Sequence, residues 1–80
     1  MVLMKNIKRD GNIIQCNFFP NCSAEPGFLS VDLTTEKVIE GSLPKGYEHC
    51  TKHANQTLRR LLEIQHEPVF QDTEFIVSLD

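Results

Sequence analysis

Residues 48 to 66 form a long segment in which apolar side chains recur with the period of an α-helix. Glu48 suits the positive end of the helix dipole and Pro68 ends the pattern, so a helix is predicted from Glu48 to His66. Its apolar stripe consists of Cys50, His53, Ala54, Thr57, Leu58, Leu61 and Ile64. One amphipathic helix can cover one face of a sheet, and this limits the architectures open to the rest of the chain.

Apolar and polar residues alternate elsewhere, which is the pattern of β-strands. The Asp10-Gly11 pair tolerates the positive φ angles of a tight turn and predicts a hairpin between the first two strands. In the second strand, Ile14, Cys16 and Phe18 share one face of the sheet. Strands are predicted at residues 3–8, 13–19, 28–33 and 38–43, with a last strand in which Phe75, Val77 and Leu79 alternate with Glu74, Ile76 and Ser78.

The order of elements is therefore four strands, one helix and one strand. It predicts an α+β fold, an antiparallel meander sheet of four to five strands with one amphipathic helix packed on one face. Residues 1–80 are expected to form a single domain, because two cores would each be too small. A chain of 80 residues buries only about 60% of the surface that it exposes when unfolded, so a staple or a partner would add to its stability.

Charge and cysteine content limit the partners and the compartment. The formal net charge of -3 argues against nucleic-acid binding, and Phe18 and Phe19 have no cationic neighbours in the sequence. No apolar stretch is long enough to span a membrane and no signal peptide is recognisable, so no membrane partner is expected. Three cysteines cannot all pair within one chain, and free thiols fit a cytoplasmic location.

Residue types that bind metals gather around the start of the predicted helix. Cys50 and His53 are three apart on it, so they share a face and could chelate a metal ion. Cys16 and Cys22 would complete a four-ligand zinc site of the kind that stabilises small domains. The five residues between Cys16 and Cys22 exceed the usual spacing of a zinc knuckle. A plainer interpretation makes Cys16 a core residue of the second strand and Cys50 the first residue of the apolar stripe.

Catalytic constellations are harder to find. Cys50 in the first turn of a helix, with His53 one turn on, is a candidate nucleophile or redox thiol. No oxyanion hole and no residue that would orient His53 can be named. The four glycines are scattered and form no phosphate loop, and no pair of carboxylates stands out as an acid and a base.

A segment ahead of the helix carries a family resemblance. Leu43-Pro44-Lys45-Gly46-Tyr47-Glu48 precedes a helix with Cys50 and His53, after an opening hairpin that reads Asn6-Ile7-Lys8-x-x-Gly11-Asn12-Ile13-Ile14. In this order the chain resembles small uncharacterised bacterial proteins with a Leu-Pro-x-Gly-Tyr-Glu segment ahead of a single helix. The resemblance implies a bacterial cytosolic protein, with no known activity and no catalytic residues to assign.

These features favour a small cytosolic protein-interaction or structural module without catalysis of its own. It would act through a protein partner or as a homodimer, because the edge strands of an open sheet commonly pair with another chain. The alternative is a zinc-stabilised or thiol-active protein that uses Cys16, Cys22, Cys50 and His53. Apart from zinc, no cofactor is expected.

Overall fold

The chain folds into a five-stranded antiparallel sheet with one helix on one face, which confirms the predicted α+β class. The computed structural model describes residues 1–21, 23–48, 51–67 and 71–76. Its elements are β1 (Val2–Asp10), β2 (Ile13–Pro20), β3 (Gly27–Asp32), β4 (Lys37–Ser42), α1 (Lys52–Ile64) and β5 (Glu74–Ile76). The strand order is β4-β3-β2-β1-β5, so the first four strands follow the chain and β5 returns to pair with β1.

Alternation along the strands sorts the side chains onto an inner face, against α1, and an outer face on the other side of the sheet. Ile14, Cys16 and Phe18 of β2 are buried on the inner face, as their spacing predicts. From the helix stripe, Leu61 and Ile64 enter the same core, together with the buried Thr57. The core consists of Val2, Met4, Ile7, Ile14, Cys16, Phe18, Leu29, Val31, Leu33, Leu61 and Ile64.

A β-bulge in β1 decides where Ile7 points. The register with β2 shifts between Lys5 and Lys8, and Asn6 adopts a left-handed conformation with φ of 57°. In a regular strand Ile7 would share the outer face with Lys5. The bulge turns Ile7 into the core, where it is 3% exposed. The Ile7 N–H donates to the carbonyl of Asp72 at 3.0 Å, which ties the segment before β5 to this strand.

The helix begins at Lys52 rather than at the predicted Glu48. The Glu48 carboxylate instead accepts a hydrogen bond from the N–H of Gly46, which has a positive φ of 91°. Glu48 therefore stabilises a turn ahead of the helix. An acidic residue serves a turn and a helix N-terminus equally well, so the sequence pattern did not separate the two.

A partly buried ion-pair cluster fastens the helix to the last strand. The guanidinium of Arg60 on α1 contacts the Glu74 carboxylate of β5 at 2.8 Å and that of Glu67 at 3.1 Å. A third contact, to Glu63, is longer at 3.5 Å. The hydrogen bond to Glu74 is the largest influence on the pKa of Arg60 and raises it. The described residues of β5 also pair with β1, and this cluster adds a direct contact between β5 and the helix.

We expect Glu74→Gln to lower the free energy of unfolding by about 1 kcal/mol, because it removes the closest anionic partner of a partly buried guanidinium. The matched control is Glu63→Gln, whose side chain is 61% exposed and whose effect should stay within about 0.5 kcal/mol. Urea unfolding followed by circular dichroism measures both. Equal losses in the two variants would contradict the assignment of Glu74 as the main anchor of β5.

Candidate functional site

Cys16 lies in the middle of β2, directly opposite Leu29 of β3. It is 1% exposed, and burial raises the pKa of its thiol to about 12. The thiol is therefore protonated at neutral pH and packs as a small apolar side chain. This is the setting that the plainer interpretation of Cys16 predicts.

Of the four predicted zinc ligands, the structure describes Cys16 and His53. Cys22 and Cys50 lie outside the described residues. Among the residues that the structure describes, no group of three or more histidine, cysteine, aspartate or glutamate side chains is placed to hold a metal ion. The site formed by Cys16, Cys22, Cys50 and His53 remains a prediction, as does a reactive thiol at Cys50.

His53 lies in the first turn of α1 and is half-buried. Its ring meets the ring of Tyr47 edge to face, with the centroids 5.5 Å apart and the planes at 89°. Partial burial lowers the pKa of His53, with smaller effects from the N-terminal ammonium group and from Lys52. The contact packs the segment ahead of the helix against its first turn and gives His53 a structural role.

We expect the Cys16 thiol to be unreactive in the native protein. In a Cys22→Ser, Cys50→Ser variant, Cys16 is the remaining cysteine, and at pH 8 a pKa of about 12 leaves roughly one thiol in ten thousand ionised. A chromogenic disulfide reagent should label it slowly in buffer and rapidly in urea. Equal labelling rates under the two conditions would show that β2 does not bury this residue.

The edge strand β4 carries exposed apolar side chains. Along its outer edge, away from β3, it has no partner strand among the described residues. All six of its residues are exposed, and these include Val38 at 44% and Ile39 at 55%. An edge of this length presents unpaired backbone N–H and C=O groups beside apolar surface, which is the usual arrangement at a strand-pairing site.

A second β-bulge interrupts β4 at Ile39. Glu40 pairs with Ser30 of β3 and Val38 pairs with Val31, so Ile39 has no partner across the ladder. A bulge bends an edge strand and limits the partners that it can accept. The open edge of β4 is therefore interrupted at Ile39 rather than regular along its length.

The bulge also puts Lys37 and Glu40 on the same face of the sheet. Lys37 pairs with Asp32 and Glu40 pairs with Ser30, and these two β3 residues are two apart, which places both on the outer face. In a regular strand, residues three apart would point to opposite faces. The edge therefore presents one cation and one anion side by side on the outer face.

The two sides of the helix differ. On the side toward β5, Arg60 binds Glu74. On the opposite flank, toward β4, Gln65 donates to the Glu36 carboxylate in the β3–β4 turn at 3.4 Å. Leu58 and Leu62 share the flank of Gln65, because they precede it by seven and three positions. A shallow depression of about 370 Å³ on this flank is lined by Asn55, Leu58, Arg59 and Leu62.

Three apolar side chains cross the outer face in one row. Leu3 of β1 lies directly between Phe19 of β2 and Phe75 of β5, and Phe75 is 50% exposed. The Lys5 ammonium lies 5.7 Å from the centroid of the Phe19 ring. The pairing of β1 with β2 therefore places the Lys5 ammonium beside Phe19, which has no cationic neighbour in the sequence.

The sequence predicted that a partner would bind through an edge strand, but it did not indicate which strand. Val38 and Ile39 belong to a predicted strand, but consecutive apolar residues also occur at Ile13 and Ile14, where the pairing is regular, so they did not indicate the bulge. The pairing of Lys5 with Phe19 and the shared face of Lys37 and Glu40 depend on register, which the sequence pattern does not contain.

No protein-family model, curated protein or solved structure matches this chain. Among the described residues, no helix is both long enough and apolar enough to cross a membrane.

Proposed function

We propose that this chain is a small cytoplasmic protein-interaction module without catalysis of its own, which pairs the outer edge of β4 with a strand of another protein chain. The observation that carries the proposal is the combination of an open backbone edge with exposed Val38 and Ile39. Addition of a strand to a sheet edge is a recurrent mode of recognition, in which backbone hydrogen bonds supply affinity and side chains supply specificity.

The apolar side chains provide a driving force that backbone pairing alone lacks. Full burial of a valine or isoleucine side chain contributes about 1.5–3 kcal/mol relative to full exposure. Val38 and Ile39 are each about half exposed, so a covering strand would gain roughly 1 kcal/mol from each. That gain offsets part of the entropy lost on association.

The described sheet ends at β4 on one side and at β5 on the other. Glu74 of β5 is fastened to the helix through Arg60, whereas all six residues of β4 are exposed. The adjacent exposed side chains of Val38 and Ile39 support β4 as the binding edge. The acidic balance of the chain, with a formal charge of -3, favours a protein over a nucleic acid as the partner.

We expect Ile39→Lys to abolish strand binding at β4, because a lysine on an edge strand opposes pairing with another chain. Peptides selected by display against the immobilised protein serve as probes, and amide chemical shifts locate where they bind. The matched control is Ile13→Lys, which places the same charge at a similarly exposed isoleucine, 42% exposed, on the interior strand β2. That variant should bind the peptides as the natural chain does.

Selected peptides that perturb β3 and β4 amides and lose binding in Ile39→Lys alone support the proposal. Peptides that bind the outer face or the helix, with β4 amides unchanged, overturn it.

A further inference from the structure

We infer that the strand accepted by the β4 edge is β4 of a second copy of this chain, paired antiparallel about a two-fold axis between Val38 and Ile39. The inference rests on the proposed function of this edge and names its partner. In such a dimer the two sheets join into one continuous sheet, and because the axis is perpendicular to it, both helices lie on the same face.

The charges of β4 are self-complementary in this register. A two-fold axis between Val38 and Ile39 sets Val38 of one copy opposite Ile39 of the other and Lys37 opposite Glu40. By symmetry, the Lys37–Glu40 pair forms twice. Residues directly opposite each other across an antiparallel pair project on the same face, and opposite charges in such positions are stabilising.

The bulge is what permits this pairing. Lys37 and Glu40 are three positions apart, and in a regular strand they would project on opposite faces and could not meet across a ladder. The shift at Ile39 brings both to the outer face, as their partners Asp32 and Ser30 show. The bulge, which hinders pairing of this edge with most strands, thus makes the edge compatible with β4 of a second copy.

The same charges disfavour two competing symmetric registers. An axis through Glu40 would place two Glu40 carboxylates opposite each other, and an axis through Lys37 would do the same with two ammonium groups. Like charges directly opposite destabilise a strand pair. The register about Val38 and Ile39 avoids both clashes and sets the exposed apolar pair of each copy opposite that of the other.

The interface is short, because β4 has six residues. Contacts of this size fall at the low end of specific protein interfaces, and the affinity is expected to be weak and dependent on concentration. Self-association should therefore be sought by analytical ultracentrifugation over a range of protein concentrations at low salt, where charge pairs are least screened.

Charge reversal tests the register directly. Lys37→Glu and Glu40→Lys should each weaken self-association by roughly tenfold or more, because each replaces two attractive pairs by two repulsive ones. An equimolar mixture of these two variants should associate again, since each Glu in one chain then faces a Lys in the other. The double variant Lys37→Glu, Glu40→Lys should also self-associate, with both pairs reversed.

Exposed residues outside β4 provide controls with the same change in net charge. Lys45→Glu and Glu25→Lys lie in exposed turns and should leave self-association within about twofold of the natural chain. Circular dichroism of every variant establishes that it is folded.

Loss of association in the single variants and recovery in the mixture support the inferred dimer. A monomeric natural chain, or single variants that associate normally, or a mixture that stays monomeric, overturns it. If selected peptides still bind β4 in a monomeric chain, the self-pairing alone is wrong and the proposed binding edge stands. If those peptides also leave β4 unperturbed, both fail.

Discussion

The structure depends on a mismatch between one helix and five strands. The thirteen residues of α1 seal a core with β1, β2 and β3 through Leu61 and Ile64, aided by Thr57. Five strands that lie about 4.8 Å apart form a sheet about 19 Å wide, and a single helix is only about 10 Å across, so it cannot cover the whole face. The strands at the two margins must therefore be stabilised in another way or remain open to a partner.

The two edge strands, β5 and β4, differ in their contacts. At β5, the Arg60 guanidinium contacts the carboxylates of Glu74 and Glu67. This ion-pair cluster connects β5 to the helix. At β4, the side chains of Val38 and Ile39 remain exposed, at 44% and 55%. In this account, the marginal core of a small chain and the proposed binding of a partner have the same physical origin, which is an incompletely covered sheet.

Sequence periodicity was sufficient for most of the fold. The alternation of Ile14, Cys16 and Phe18 and the helical spacing of Leu61 and Ile64 reflect burial directly, so they predicted the inner face and the helix. Periodicity could not predict the two bulges, because each depends on the local φ angle or the register of a partner strand. It also could not show that Lys37 and Glu40 share one face of β4, because that depends on the register with β3. For the proposed zinc site, residue type was the guide, and two of its four members, Cys22 and Cys50, lie outside the described residues.

Amide hydrogen exchange at two protein concentrations tests the central claim most directly, because it reports on backbone groups of β4 without any substitution. Paired β4 strands predict that amides of residues 37–42 exchange more slowly as concentration rises, while amides of residues 74–76 and the core strands keep the same rates. Exchange at β4 that is fast at every concentration, with or without a bound strand peptide, would contradict the claim that this edge is a binding surface.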